Sequence, residues 1–423
     1  MKQIWVYADM DWTSEPVLVG ILGMESLRGN AVYSFQFDKN WLRENNSIFL
    51  DPDLMPYPGI QFTKPNRDIF GCFSDALPDR WGRTLLNRKE QVLAQEEQRA
   101  VKKLTSFDYL VGLDDLSRMG AFRFKSNPAE GYINDDGYLT IPPIARIREL
   151  VVAAQAIEIS EQKNLLPEKR WLQQLLRPGS SLGGARPKAS VVDEEKNLFM
   201  AKFPSRKDDY DVALWEHWAH LLAKRVGIKV AETSVLKLEE KYHTLLSKRF
   251  DRTKEGKRVH FASAMTMLGL TDGDNAENGY GYLDIVEFLV QYGRDIQNNL
   301  EELYRRVAFN ICIGNADDHF RNHGFLLRKD GWELSPAYDL NPTLGSHLSL
   351  LINESSNETD LNLLYEASSR YLLSKEKARS ILTDVVNGCL GWESLALSLG
   401  IAPRDISFFS DRMNRTIKDW KLE

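Results

Sequence analysis

The stretch "IGNADDHFRNHGFLL", residues 313–327, carries the reading of this chain. It places two adjacent carboxylates, Asp317 and Asp318, ahead of His319, Asn322 and His323. Such a loop can be no more than a solvated helix cap. A zinc site is a second reading, because His319 and His323 are spaced i, i+4, which suits two ligands on one helix face. The zincin pattern, however, needs Glu directly after the first His. Phe320 holds that place, and no third ligand follows at a helpful spacing.

Phosphoryl transfer is the third reading. It needs one carboxylate to orient an attacking hydroxyl, and an Asn and a second carboxylate to hold Mg²⁺. Asp317 and Asn322 have the D-x-x-x-x-N spacing of a kinase catalytic loop. "HGFLLRKDGWELS" then reads as a hairpin with its turn at residues 329–331, and Asp339 follows in "SPAYDLNP". Three oxygen ligands therefore fall in kinase order.

This reading makes demands upstream. A nucleotide site needs backbone amides to cradle phosphates and a lysine on a strand beside them. "GSSLGGARPK" supplies the first, since Gly183 and Gly184 let the backbone approach anionic oxygens. Gly179 and Gly184 are spaced as in a P-loop, but Ala185 stands where the Walker lysine belongs. Lys202, in "FMAKFP", supplies the strand lysine; the alternative is an edge lysine pointing to water. Glu216, on the next helix, either pairs with Lys202 or lies on the surface.

Around these motifs the pattern is mixed α and β. "QIWVYAD" and "NAVYSFQFD" alternate as strands do, and "NLFMAKFP" and "YHTLLSKRFDR" read as further strands. In "FSDALPDRWGRTLL", Pro78 and Gly82 interrupt a helical pattern, which resumes as charged helix to about Lys103. Residues 144–165 and "DVALWEHWAHLLAKRVGI" carry the i, i+3, i+4 spacing of amphipathic helices. Past about Asp251 the chain turns mainly helical, with "LDIVEFLVQY" and "LEELYRRVAFNICIG" the clearest cases. The second of these delivers the opening stretch. Everything after the hairpin reads as helix. The expected fold is α+β and two-lobed, divided at 1–110, 111–250 and 251–423: a β-rich N-terminal subdomain, the rest of an N-lobe, and a helical C-lobe.

Composition bounds the function. A chain of 423 residues needs two or three domains or one large two-lobed enzyme. A net charge of −6 leaves no electrostatic footprint for nucleic acid, so DNA contact would be local or supplied by a partner. No apolar run reaches the length of a bilayer, and the N-terminus turns polar too soon for a signal peptide. The three cysteines, Cys72, Cys312 and Cys389, make no metal spacing and point to a reducing cytoplasm.

Four passages, taken in order and spacing, resemble the HipA toxins of bacterial toxin–antitoxin modules. They are "ALPDRWGRTLL"; "SSLGGARPK"; "FMAKFP" with "EHWAHLLAKRVGI" and "SKRFDR"; and "GNADDHFRNHGFLL" through "PAYDL". The resemblance covers most of the chain. It implies a two-lobed, kinase-like serine/threonine protein kinase that takes ATP and Mg²⁺. It implies Asp317 as the catalytic Asp, Asn322 and Asp339 as Mg²⁺ ligands, and Lys202 as the ATP-phosphate lysine. Gly183, Gly184, Ala185, Arg186 and Lys188 would form the phosphate-contacting loop, and His319 would touch nucleotide. Lys248, Arg249 and Phe250 fall at the adenine hinge; an acidic residue can stand in the family where Lys248 is, so adenine contacts there would come from the backbone. Ser181, or Ser180 beside it, falls where the family autophosphorylates and inactivates itself. The implied partners are a HipB-like helix-turn-helix antitoxin, operator DNA only through that antitoxin, and a protein substrate such as an aminoacyl-tRNA synthetase. Two alternatives stay open: a small-molecule kinase of the aminoglycoside or sugar type, and a catalytically idle corepressor.

Overall fold

The computed structural model describes residues 1–420 except 28, 66, 140, 177–183, 239 and 240. The fold mixes α and β as expected. The chain forms two compact units: Met1–Lys207 with Lys248–Ala262, and Asp208–Ser247 with Ser263–Glu423.

The first unit opens with a five-stranded antiparallel sheet. Its order is Ile60–Phe62, Asn30–Phe37, Val17–Leu27, Lys2–Ala8 and Phe122–Lys125. Alternation sets its faces. In Asn30–Phe37, Tyr33, Phe35 and Phe37 are buried while neighbouring positions are more open. Phe35, Phe70, Phe73 and Phe122 pack against one another beneath the sheet. Helix Arg80–Glu96 begins after Pro78 because Asp79 caps it, accepting the Gly82 N–H at 2.8 Å. It stops at Glu96, short of the expected Lys103, since residues 97–105 are irregular. Ile147–Gln162 is the expected amphipathic helix. Lys188–Val192 and Leu198–Lys202 pair antiparallel, with Lys188 opposite Lys202.

The unit closes with residues 248–262, held by buried charge. Arg249 grips Asp251 through both nitrogens, at 2.7 Å each, and donates to the Ser117 and Arg118 carbonyls. Arg258 and Arg123 bind Asp115 at 2.7 and 2.8 Å.

The second unit is mainly helical. Val212–Arg225 stacks Trp215 and Trp218 on Trp392. Tyr282–Tyr292 packs beside Ile296–Ile313, a helix whose last turns are wholly buried. Gly314 ends that helix in the left-handed region, at φ +70. The positive φ favours glycine there, and a Cβ would also displace the Arg412 guanidinium. The expected hairpin is present as Gly324–Arg328 and Gly331–Leu334, paired Phe325 to Leu334 through Arg328 to Gly331. The stretch after it is not all helix. Residues 341–360 are irregular, with isolated bridges from Leu351 to Gly281 and from His347 to Glu358, and helix resumes at Leu361–Glu366. Among the described residues no helix is long and apolar enough to cross a membrane.

Candidate active site

In the second unit, the loop of residues 314–323 is pinned on every side. The Thr343 hydroxyl donates to the Gly314 carbonyl at 2.7 Å and the Ser349 hydroxyl to the Ala316 carbonyl at 2.6 Å. The Tyr338 hydroxyl donates to the Arg321 carbonyl at 2.6 Å. Ala264 N–H reaches the His323 carbonyl at 2.8 Å. The loop is not helical, so His319 and His323 share no helix face and the geometric premise of the zinc reading fails.

The two adjacent carboxylates part company here. Asp318 is 2% exposed, and its Oδ2 accepts three hydrogen bonds. They come from the Tyr282 hydroxyl at 2.6 Å, the Asn310 amide at 2.6 Å and His323 Nε2 at 2.9 Å. Burial alone would raise this carboxyl; the charge and hydrogen bond of His323, with the Tyr282 donor, override burial and hold it below the usual carboxylate range. Asp317 instead reaches solvent. Its carboxyl is raised, first by the protein packed against its inner side and then by the negative charges of Asp339 and Asp318, against the pull of His319.

Asn322, 7% exposed, donates its side-chain amide to the Asp317 carbonyl at 3.0 Å. That bond fixes the amide orientation and leaves Oδ1 as the atom able to meet a hard cation. Asp339 is held at φ +56, a left-handed backbone that costs a non-glycine residue about 1 kcal/mol or more. Asn341 donates to Asp339 Oδ1 at 3.4 Å, and its own buried Oδ1 has no hydrogen-bond partner among the described residues. The structure thus gathers Asp317, His319, Asn322 and Asp339. Asn322 and Asp339 are hard oxygen donors, and like charges crowd Asp317, so these residues fit Mg²⁺.

In the first unit, Lys202 ends its strand half-buried, not pointing freely to water. Lys188 is 1% exposed and ion-paired with Asp79 at 2.9 Å. Gly184 adopts φ +91, and Arg186 Nε donates to the Phe203 carbonyl at 3.1 Å. Lys248 and Phe250 are half-buried, whereas the Arg249 side chain between them is committed to Asp251. Glu216, in the second unit, is buried, so its surface reading falls. Ser180, Ser181 and Gly183 lie outside the described residues.

Sequence reasoning missed the partners of Asp318. Asn310 left a signal, a lone amide inside the apolar run "VAFNICI". Tyr282 left none, since a tyrosine opening a helix reads as packing. It also missed that Cys312 and Cys389, distant in sequence, bring their thiols into contact; that contact, together with burial, pushes the Cys389 thiol well up.

Residues 180–392, half of the chain, match the family model described as the HipA-like C-terminal domain, and the chain belongs to the HipA family. Among curated proteins it is 25% identical over 236 residues to a "Putative kinase" of Haemophilus influenzae, covering 48% of this chain and 68% of that protein. It is 25% identical over 216 residues to the "Serine/threonine-protein kinase toxin HipA" of Shewanella oneidensis, covering 45% of this chain but only 48% of that one. Among solved structures it resembles the HipA of a Shewanella oneidensis HipA, HipB and operator DNA complex. The TM-score is 0.62 at 17% identity, over 95% of this chain and 94% of that one, a likeness of fold.

Proposed function

We propose that this chain is an ATP-dependent serine/threonine protein kinase, the toxin of a HipA/HipB-like module. One observation carries the reading: Asp317 reaches solvent with a raised carboxyl, while Asn322 and Asp339 stand beside it on a pinned loop and after a hairpin. Asp317 would orient a substrate hydroxyl and accept its proton. Asn322 and Asp339 would hold Mg²⁺. Bound Mg²⁺-ATP supplies the phosphoryl group and the counter-charge that this carboxylate cluster lacks. Lys202, with Gly183, Gly184, Ala185 and Arg186, would receive the phosphates; His319, Lys248 and Phe250 would contact the rest of the nucleotide. Lys188 already neutralises Asp79, so its ammonium could meet a phosphate only by exchanging that partner.

The resemblance extends the proposal to regulation and partners. Ser181, or Ser180, would take the enzyme's own phosphate. A phosphoserine adds about −1.5 to −2 charge, which would compete with ATP for the same amides and switch the kinase off. A HipB-like antitoxin would bring the acidic chain to operator DNA in the cytoplasm, and an aminoacyl-tRNA synthetase is a candidate substrate.

The test is transfer from γ-labelled ATP by the purified full chain, offered a cell lysate and, separately, a panel of small alcohols. Label on seryl or threonyl residues of protein is the expected result. Label confined to a small alcohol, or none at all, overturns the proposal. Mass spectrometry of the chain purified from cells places any phosphate on Ser180 or Ser181.

A further inference from the structure

Three donors, one from each of two helices and one from the end of the loop itself, converge on one oxygen of Asp318. Tyr282 is the first residue of helix Tyr282–Tyr292, Asn310 lies in the last turns of Ile296–Ile313, and His323 directly precedes strand Gly324–Arg328. Asn310 is itself oriented, and the Tyr282 and His323 rings meet edge to face at 5.6 Å. Asn315 donates its amide to Asn310 Oδ1 at 3.2 Å, which turns the Asn310 nitrogen toward Asp318. Burial, and then the charge of Asp318, raise the Tyr282 phenol well above its ordinary value, so it remains a donor. His323 gives its Nε2 to Asp318, and its carbonyl accepts from Ala264.

We infer that Asp318, with Tyr282, Asn310 and His323, is a positioning device that sets where the neighbouring Asp317 carboxyl points. Adjacent side chains on this loop face opposite sides, one buried and one in solvent. Anchoring Asp318 on the buried side therefore fixes Asp317 on the open side. A loop that merely capped a helix would need neither a buried carboxylate nor three donors for it. The inference rests on the kinase reading only for its consequence in rate, since displacing a reacting group by about 1 Å can cost roughly 100-fold.

The experiment uses the full chain and two readouts. Tyr282→Phe removes one hydroxyl and nothing else; Asp318→Asn keeps the shape and removes the charge. In both, hydrogen exchange of residues 314–323 should accelerate about tenfold or more, while the Ile296–Ile313 helix keeps its protection. In transfer assays kcat should fall about 10- to 100-fold with KM for ATP within about twofold. His323→Gln keeps a donor where Nε2 stands but loses the imidazole charge, so its loop exchange and its kcat should fall between those of the parent and of Asp318→Asn. Loop exchange at the parent rate in both variants overturns the positioning role. So does a loss of protection spread over the whole second unit, which would make Asp318 a general structural residue. A parent chain that transfers no phosphoryl group overturns the kinase reading alone, because loop exchange still decides the positioning claim.

Discussion

Each unit buries carboxylates, but the two treat them differently. In the first, Asp251 and Asp115 are closed in by Arg249, Arg252, Arg258 and Arg123, so that each carboxylate meets two guanidiniums of the chain itself. In the second, Asp318 is satisfied by neutral and imidazole donors, and Asp317 is crowded by Asp339 and Asp318. A closed arginine–carboxylate lattice has nothing left to offer a ligand. A carboxylate such as Asp317, raised by burial and by the charges of its neighbours, is one that a cation would relieve. Both patterns are rich in Asp, so counting charges would not separate structure from chemistry. What separates them is whether the neutralising group belongs to the chain.

Four experiments sharpen or break that contrast. The largest effect is expected at Asp317. Asp317→Ala should lower phosphoryl transfer by about 10²–10⁴-fold while calorimetry finds ATP binding retained; transfer at the parent rate would place the base elsewhere. Next is the lattice. Asp251→Ala leaves the Arg249 guanidinium buried without its carboxylate, which should cost about 3–5 kcal/mol in chemical denaturation. A cost under about 1 kcal/mol would mean that backbone carbonyls alone can hold these arginines.

Asp51 tests the contrast inside the first unit, because it is buried and its hydrogen bonds come from the Asp53 and Cys72 N–H groups and the Cys72 thiol. Burial pushes its carboxyl up to about 6. A raised acid favours the protonated folded state, so its contribution is complete below the unfolded value near 4 and is lost as pH rises through about 6. Relative to Asp51→Asn, the parent should lose about 3 kcal/mol of stability between pH 4 and pH 7, at roughly 1.4 kcal/mol per unit. Thermal melts of the two proteins across that range should diverge; parallel curves would show that Asp51 is solvated. The smallest effect is expected at Asn322 and Asp339, the proposed cation ligands. Asp339→Asn and Asn322→Ala should each weaken Mg²⁺-dependent binding of an ATP analogue about tenfold, with little change when Mg²⁺ is absent. An undiminished Mg²⁺ dependence in both would remove them from the site.

Much of this was legible because it is local. Strand alternation marked Lys2–Ala8 and Asn30–Phe37, helical periodicity marked Ile147–Gln162 and Val212–Arg225, and turn chemistry marked the hairpin before Asp339. The spacing of Asp317, Asn322 and Asp339 was enough to collect them, because a short loop and a tight hairpin leave the backbone few ways to separate them. Residues 341–360 misled because an irregular segment held by a bridge to Gly281 depends on a partner distant in sequence. The sequence left the burial of Glu216 open and gave no sign of the Lys188 ion pair, because charged residues are buried only when a partner is supplied, and Asp79, the partner of Lys188, stands over a hundred residues away.

By itself, the sequence determined the family, the order of the elements and the catalytic-loop motif, all of which follow from residue type at short range. Only the tertiary structure decided which of two adjacent aspartates faces solvent. Asp317 and Asp318 are the same residue in the same loop, and nothing within ten residues on either side distinguishes them except Asn310 and His323. The difference comes from Tyr282, thirty-six residues upstream, which completes the donor set around Asp318. A buried carboxylate needs several donors at once, and only folding brings the distant Tyr282 to the oxygen that Asn310 and His323 already share.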